Sequence, residues 1–322
     1  MSDRSDCPRK PRIMVVGSSN TDMVIKTDYL PAPGETVLGG KFVMVPGGKG
    51  ANQAVAAARL GAVVSLVARV GMDVFGDTAL QNFGREGIDT EFAVRDLEEP
   101  SGIALIFVDR SGENAIAVAP GANSRLSLED VDRARDRMAA CSTLVLQLEI
   151  PMETVEHAAH LGREIGVRVV LNPAPVHPDG LPRSLLESVD VLVPNESESR
   201  LLLDLEPDAD IEETAARGLL EMGVGSAVVT LGARGALVVT PERLQRVRAP
   251  KVIAVDTTAA GDAFTGALAV GLSSGRDLFE SVDFAAKVAA LSVTRIGAQS
   301  SLPTADEVAR LHEDLWVGDN RK

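Results

Sequence analysis

The feature that most limits how this chain can fold is a repeated alternation of short apolar runs with helix-period stretches. "RIMVVGS" is followed by "GANQAVAAARLG" and "VVSLVARVG", and later "STLVLQLE" by "METVEHAAHLGREIG" and "VRVVLNP". Apolar runs with no regular polar alternation are strands buried on both faces, and intervening helices supply the crossovers that parallel pairing needs. The pattern predicts an α/β chain built on a mainly parallel sheet. Two regions break it: "DMVIKTDYLPAPGETVLGGKFVMVPGG" and "SGIALIFVDRSGENAIAVAPG" leave no room for a helix and read as short strands with Gly/Pro turns, the second turning at Ser111-Gly112. They predict a small β flap beside the main sheet, able to close over a ligand. The 322 residues suffice for one α/β domain with such an addition or for two separate domains.

Charge and cysteine usage narrow the setting. A formal charge of -14 with no Lys/Arg block argues against nucleic acid and against an anionic membrane. Small anions remain open, because backbone amides and a local cation suffice to hold one. Cys7 and Cys141 have no metal or disulfide spacing. With no apolar leader or spanning segment, the expected compartment is the reducing cytoplasm. Residues 1–10 and those after Trp316 read as flexible ends.

The sharpest local signal is "VDTTAAGDAF". Phe264, Leu268 and Leu272 follow at helical spacing, so Asp262 falls in the first turn of an apolar helix behind Ala259, Ala260 and Gly261. Small residues let the chain turn tightly and turn unpaired N–H groups outward, which with the helix dipole makes an anion site. A carboxylate there is wasteful unless it meets a hydroxyl. The helix start is also expected to hold Asp262 ionised.

Other polar groups follow predicted strands. "GSSNTD" lacks the glycines of a dinucleotide fingerprint, and "GGKGANQ" lacks the hydroxyl that follows the lysine of a Walker A loop. Asn20, Asp22, Lys49 and Asn52 are each able to bond vicinal hydroxyls, although Asn20 and Asp22 also suit turns and Gly47-Gly48 is a common turn pair. Lys49 at a helix start opposes the dipole at a cost of a few tenths to about 1 kcal/mol. Glu149 reads as the end of "LVLQLE", Asn195 as a helix cap in "VLVPNESES", and "VVTLGARGALVV" as two strands joined at a glycine turn whose amides, with Thr230, suit phosphates.

The order of these stretches resembles the PfkB-type carbohydrate kinases. From Arg12 to about Pro303 it runs through "GSSNTD", "PAPGETV", "PGGKGANQAVAAARLGA", "GIALIFVD", "GENAIAVAPGAN", "LQLEIP", "LNPAP", "PNESE", "VVTLGARG", "VDTTAAGDAFTGAL" and "VTRIGAQSSLP". The resemblance implies a single α/β, Rossmann-like kinase domain over 12–322 behind an N-terminal tail of 1–11, with lid strands in about 20–46 and 100–120 and a homodimer formed through the lids. It implies transfer of the ATP γ-phosphoryl group to the 5-hydroxyl of D-ribose, or to another pentose, deoxyribose or a nucleoside.

Carried onto this sequence, the resemblance gives the sugar to Asn20, Asp22, Gly47, Gly48, Lys49, Asn52, Glu149 and Asp262. ATP falls to Asn195, to Thr230, Leu231, Gly232, Ala233, Arg234 and Gly235, and to Gly261 and Ala286. Asp262 matches the catalytic base, with an anion hole at Ala259, Ala260 and Gly261. Glu198 matches the group that organises Mg2+ through water, and Asp256, Thr258, Ser292, Arg295, Gly297 and Ser301 match the surroundings of a monovalent cation, K+. Ala263, Thr265 and Ala286 depart from commoner family residues, which bears on adenine packing rather than on the reaction. A non-catalytic sugar-binding protein would have lost Asp262 or the small-residue turn, and a nicotinamide-dependent dehydrogenase would need the absent fingerprint glycines.

Overall fold

The computed structural model describes residues 10–177, 179–206, 211 and 218–314, so the ends expected to be flexible, with Cys7, lie almost wholly outside the described residues. The strands are β1 Arg12–Val16, β2 Asn20–Lys26, β3 Lys41–Gly47, β4 Val63–Gly71, β5 Ala93–Asp96, β6 Gly102–Val108, β7 Asn114–Ala119, β8 Thr143–Leu146, β9 Arg168–Leu171, β10 Val191–Leu192, β11 Ser226–Thr230, β12 Ala236–Val239 and β13 Leu244–Val247. Nine of them form one sheet in the order β13-β12-β11-β10-β9-β8-β1-β4-β5. Every neighbouring pair from β11 to β5 is parallel; β12 and β13 are antiparallel.

Burial on both faces explains the unbroken apolar runs. In β1, Ile13 and Val15 point into one core and Met14 and Val16 into the other, and none of the four is exposed. The helices Lys49–Arg59, Ala260–Ser273 and Leu278–Ser292 cover the first face, and Met152–Glu164 packs on the second. Gly266 lets two of these helices meet closely: a Cβ there would lie 2.7 Å from Ala56 Cβ and 2.8 Å from Gln53 O. That closeness brings the first turns of the helices beginning at Lys49 and Ala260 side by side.

The interruptions in the alternation form a second sheet, ordered β3-β2-β6-β7. Residues opposite one another share a face, so Asp22, Val45, Ala104 and Val118 look one way and Met23, Met44, Leu105 and Ala117 the other. Among the described residues no helix is long and apolar enough to cross a membrane.

Candidate active site

Strand order reverses at β1, between β8 and β4, and the loops at the carboxyl ends of β1 and β8 open the crevice where ligands of such sheets bind. Strand β8 stops at Leu146, so Glu149 lies in the following loop rather than at a strand end as its sequence suggested. Glu149 Oε2 accepts the Ser18 hydroxyl at 2.5 Å and the Lys49 backbone N–H at 3.0 Å. The Lys49–Arg59 helix has glycine at its N-cap and no acid in its first turn, so Glu149 caps it from another loop. Gly48 takes a φ of +89° and lies so near Asn20 that a Cβ would sit 2.7 Å from its N.

The side of the crevice next to β2 is lined by groups able to bond hydroxyls. Asn20 is buried, and its Oδ1 accepts from Asn123 Nδ2 at 2.8 Å, while Asn123 is itself tied to the Ser19 backbone. The Asp22 carboxylate lies against the Gly47 α-carbon, in the space a side chain would take. Burial, and then the neighbouring charges of Glu149 and Asp262, push its pKa up to about 6 despite the attraction of Lys49. Burial alone would lower the Lys49 ammonium, but Asp262, Glu149, Glu198 and Asp22 outweigh it and raise its pKa. These four carboxylates also offset the cost of a cation at a helix start. A cavity of about 400 Å³ opens beside Asn20, Asn123 and Glu149 under Val118 of the lid.

A second cavity, about 190 Å³, is lined by Lys49, Asn195, Glu198, Thr230, Ala259, Ala260, Gly261 and Asp262, among others. Ala259 holds a left-handed conformation, φ 58°, at the N-cap of the Ala260–Ser273 helix. Of the anion hole expected at Ala259, Ala260 and Gly261, the Ala260 N–H is engaged by Thr257 O at 3.2 Å, while Gly261 and Asp262 occupy the first turn, where helix amides have no carbonyl of their own helix to meet. Asp262 itself is 7% exposed and receives Asn52 Nδ2 on Oδ2 at 2.9 Å and Gln53 Nε2 on Oδ1 at 3.0 Å. The helix start does not keep its pKa low. Burial raises it, more than Lys49 and the two amide donors lower it, which moves the carboxylate toward the range of an efficient base.

Asn195 and Glu198 form a reciprocal capping box on the Glu196–Leu202 helix, and burial raises the Glu198 carboxyl. Beyond Thr230, Leu231 is buried and Gly232, Ala233 and Arg234 form an exposed turn, with Gly235 at φ 94°. Arg234 pairs with Glu196 at 2.5 Å. Ala286 is not brought there; it is buried in the core on the Leu278–Ser292 helix.

Among the residues assigned to a monovalent cation, Asp256 is the hub of a hydrogen-bonded group with Thr258 and Gly297. Asp256 Oδ1 accepts the Thr258 hydroxyl at 2.6 Å and N–H at 2.9 Å, and Oδ2 accepts the Gly297 N–H at 2.9 Å. Desolvation opposes ionisation of Asp256, but these donors prevail and lower its pKa. Ser292 and Ser301 are buried with hydroxyls donated to Ala289 O and Ala298 O, and the Arg295 side chain pairs with Glu307.

Five polar side chains that hold the site were not singled out from the sequence: Ser18, Gln53, Asn123, Gln147 and Asn172. Gln53 Nε2 also donates to Asn172 Oδ1 at 3.1 Å, and Asn172 Nδ2 to Val193 O at 2.9 Å. The signal available was a buried polar residue inside an apolar stretch, as Gln147 is in "TLVLQLE".

This fold, with a polar crevice beside the start of the Ala260–Ser273 helix, belongs with the carbohydrate kinases, a class of phosphotransferase, as comparison with known proteins shows. The profile of the "pfkB family carbohydrate kinase" matches residues 10–305, and the chain belongs to that family. It is 41% identical over 302 residues to the ribokinase of Haemophilus influenzae, covering 94% of this chain and 98% of that protein. Against the deoxyribokinase of Salmonella typhi it is 40% identical over 296 residues, covering 92% and 96%. The solved ribokinase of Thermotoga maritima superposes with a TM-score of 0.85 at 39% identity over 94% of this chain and 99% of that one. A ribokinase from Arabidopsis thaliana complexed with ribose and ATP gives 0.85 at 31% over 94% and 98%.

Proposed function

We propose that this protein is an ATP-dependent ribokinase that phosphorylates the 5-hydroxyl of D-ribose. The observation that carries the reading is the position of Asp262: its buried carboxylate accepts from Asn52, interacts with the charges of Asp22, Lys49 and Glu149, and lines one cavity with Lys49 and Gly261. Asn52 Oδ1 is buried with no hydrogen-bond partner beside the Asp262 carboxylate that Asn52 Nδ2 meets.

In the reaction the 5-oxygen attacks the γ-phosphorus of ATP. A new O–P bond forms as the bond to the ADP oxygen breaks, and the hydroxyl proton passes to the Asp262 carboxylate. The transition state is loose, so positioning and electrostatics dominate: the first-turn amides meet charge on the moving group, and Lys49 balances the surrounding carboxylates. Thr230 and the Leu231–Gly235 turn hold the nucleotide's phosphates.

Glu198, one oxygen capping Asn195, has its other oxygen available to order water on Mg2+, which neutralises phosphate charge when bound. Asp256, Thr258 and the Arg295 and Gly297 carbonyls, with Ser292 and Ser301, are hard oxygen donors carrying one formal charge, a set suited to K+. Phe42, Met44 and Leu105 are exposed on the lid face away from Asp22, while Ile116 and Val118 are exposed on the side of the acceptor cavity. A sheet apolar on both faces needs cover on both, and a second copy covering the outer face makes a homodimer through the lids. The reading puts the enzyme in the cytoplasm, where ATP is made.

The name of the Salmonella typhi relative favours 2-deoxyribose as a second reading. Incubation with ATP and D-ribose, followed by nuclear magnetic resonance of the product, tests the first. Phosphorus coupled to the C5 methylene protons supports it; phosphorus on C1, or no sugar phosphate, refutes it.

A further inference from the structure

A carboxylate that serves as a base only accepts hydrogen bonds, so each amide touching Asp262 must present its N–H2 end. For Gln53 this fixes the whole side chain: Nε2 faces Asp262 Oδ1 and Asn172 Oδ1, at 3.0 and 3.1 Å, and Oε1 faces the other way. There it accepts Gln147 Nε2 at 2.6 Å. Gln147 must therefore present its own N–H2 to Gln53, which leaves Gln147 Oε1 buried with no donor, against the Gly17 α-carbon in the space a side chain would fill. Gln147 follows β8 directly and is 0% exposed, as Gln53 is 1% exposed. An apolar residue would avoid the orphaned oxygen, so Gln147 is an uneconomical choice for packing alone.

We propose that Gln147 is a positioning residue for phosphoryl transfer: by donating to Gln53 Oε1 it keeps the Gln53 amide turned N–H2-first and so holds the Asp262 carboxylate toward the acceptor hydroxyl. This rests on the reading of Asp262 as the base. Were Gln53 to reverse, its carbonyl oxygen would face the carboxylate, and one of the two side-chain donors that favour ionisation would be lost. The other charges facing Asp262 are Lys49 from the same helix as Gln53, Glu149 from the loop after β8, Asp22 from β2 and Glu198 from the Glu196–Leu202 helix. The Gln147 side chain hydrogen-bonds to Gln53 and to none of these charges, so a shift in the acid limb of the rate profile reports the amide chain.

The test compares wild type with Gln147→Met, Gln53→Met and Asp262→Asn, measuring kcat, KM for D-ribose and ATP, and melting temperature over about pH 5 to 9. Gln147→Met is expected to lower kcat about tenfold at neutral pH, to leave both KM values within about twofold, and to move the acid limb of kcat upward by about half a unit or more. Gln53→Met is expected to shift both in the same direction by more, and it decides the matter if Gln147→Met does not fold. Folded variants with wild-type kcat and an unmoved acid limb, beside an Asp262→Asn enzyme slowed about a hundredfold or more, overturn the role of Gln147 and leave the base assignment standing. An Asp262→Asn enzyme with near-normal kcat removes the base assignment itself.

Discussion

Ser18 and Glu149 stand 131 residues apart in sequence, yet the Ser18 hydroxyl donates to Glu149 Oε2 at 2.5 Å. The same oxygen caps the Lys49 amide, so three separate stretches are fastened at the acceptor side of the crevice. Ser18→Ala should release Glu149 from one of its two donors. We expect KM for D-ribose to rise about tenfold, the effect of losing a charged hydrogen bond of roughly 1.5 kcal/mol, with KM for ATP unchanged. Steady-state kinetics with each substrate varied in turn checks this; an unaltered ribose KM would mean that the helix amide alone fixes Glu149.

Asp22 trades stability for binding. Its pKa is raised from the usual 3.8 to about 6, so above pH 6 the folded state must carry a charge its surroundings disfavour. Asp22→Asn should therefore melt higher than wild type at pH 7 to 8, by up to ~3 kcal/mol of stability. The stabilising effect of the raised pKa in wild type is full below 3.8 and is lost as pH rises through about 6, so the advantage of the variant should fade across that window on acidification. Denaturant melts of the ligand-free proteins at several pH values measure it. The same variant should lose ribose affinity at neutral pH.

Asp256 gathers Thr258 and Gly297 at the entrance to the Ala259–Gly261 turn, which links the proposed cation to the amides that meet the transferring group. At saturating Mg2+ and matched ionic strength, KCl should support a higher kcat or tighter ATP binding than NaCl, and Asp256→Ala should abolish the difference. Identical rates in the two salts for wild type would contradict the assignment.

How far the sequence carried the fold and the site depended on what each residue had to satisfy. Ile13 to Val16 announce a strand buried on both faces because every position must be apolar, and the two Gly/Pro-rich regions announce a separate sheet because no helix fits them. Asp262 was legible because a carboxylate after small residues at a helix start is hard to explain by packing. Gln53 and Gln147 were not, since an amide in an apolar stretch acquires its meaning only from partners brought together by the close approach at Gly266 and by the β1–β8 pairing. Ser18, in the loop after β1, and Asn123, in the short 3-10 helix Gly121–Arg125, carry no local pattern that points to their distant partners. The pKa of Asp262 also escaped local reasoning: the helix dipole is visible in sequence, whereas the depth of burial that outweighs it is a property of the assembled site.

In the proposed reaction the crevice of Asn20, Asp22, Lys49, Asn52 and Glu149 holds the hydroxyls of ribose and delivers the 5-hydroxyl to Asp262. The most direct measurement is kcat/KM by coupled ADP release for D-ribose, 2-deoxyribose, fructose and adenosine under one set of conditions. The account predicts the highest value for D-ribose and a value for 2-deoxyribose about tenfold lower or more, because a missing hydroxyl strands buried polar partners at about 1 to 3 kcal/mol. An equal or higher value for 2-deoxyribose, fructose or adenosine would contradict it.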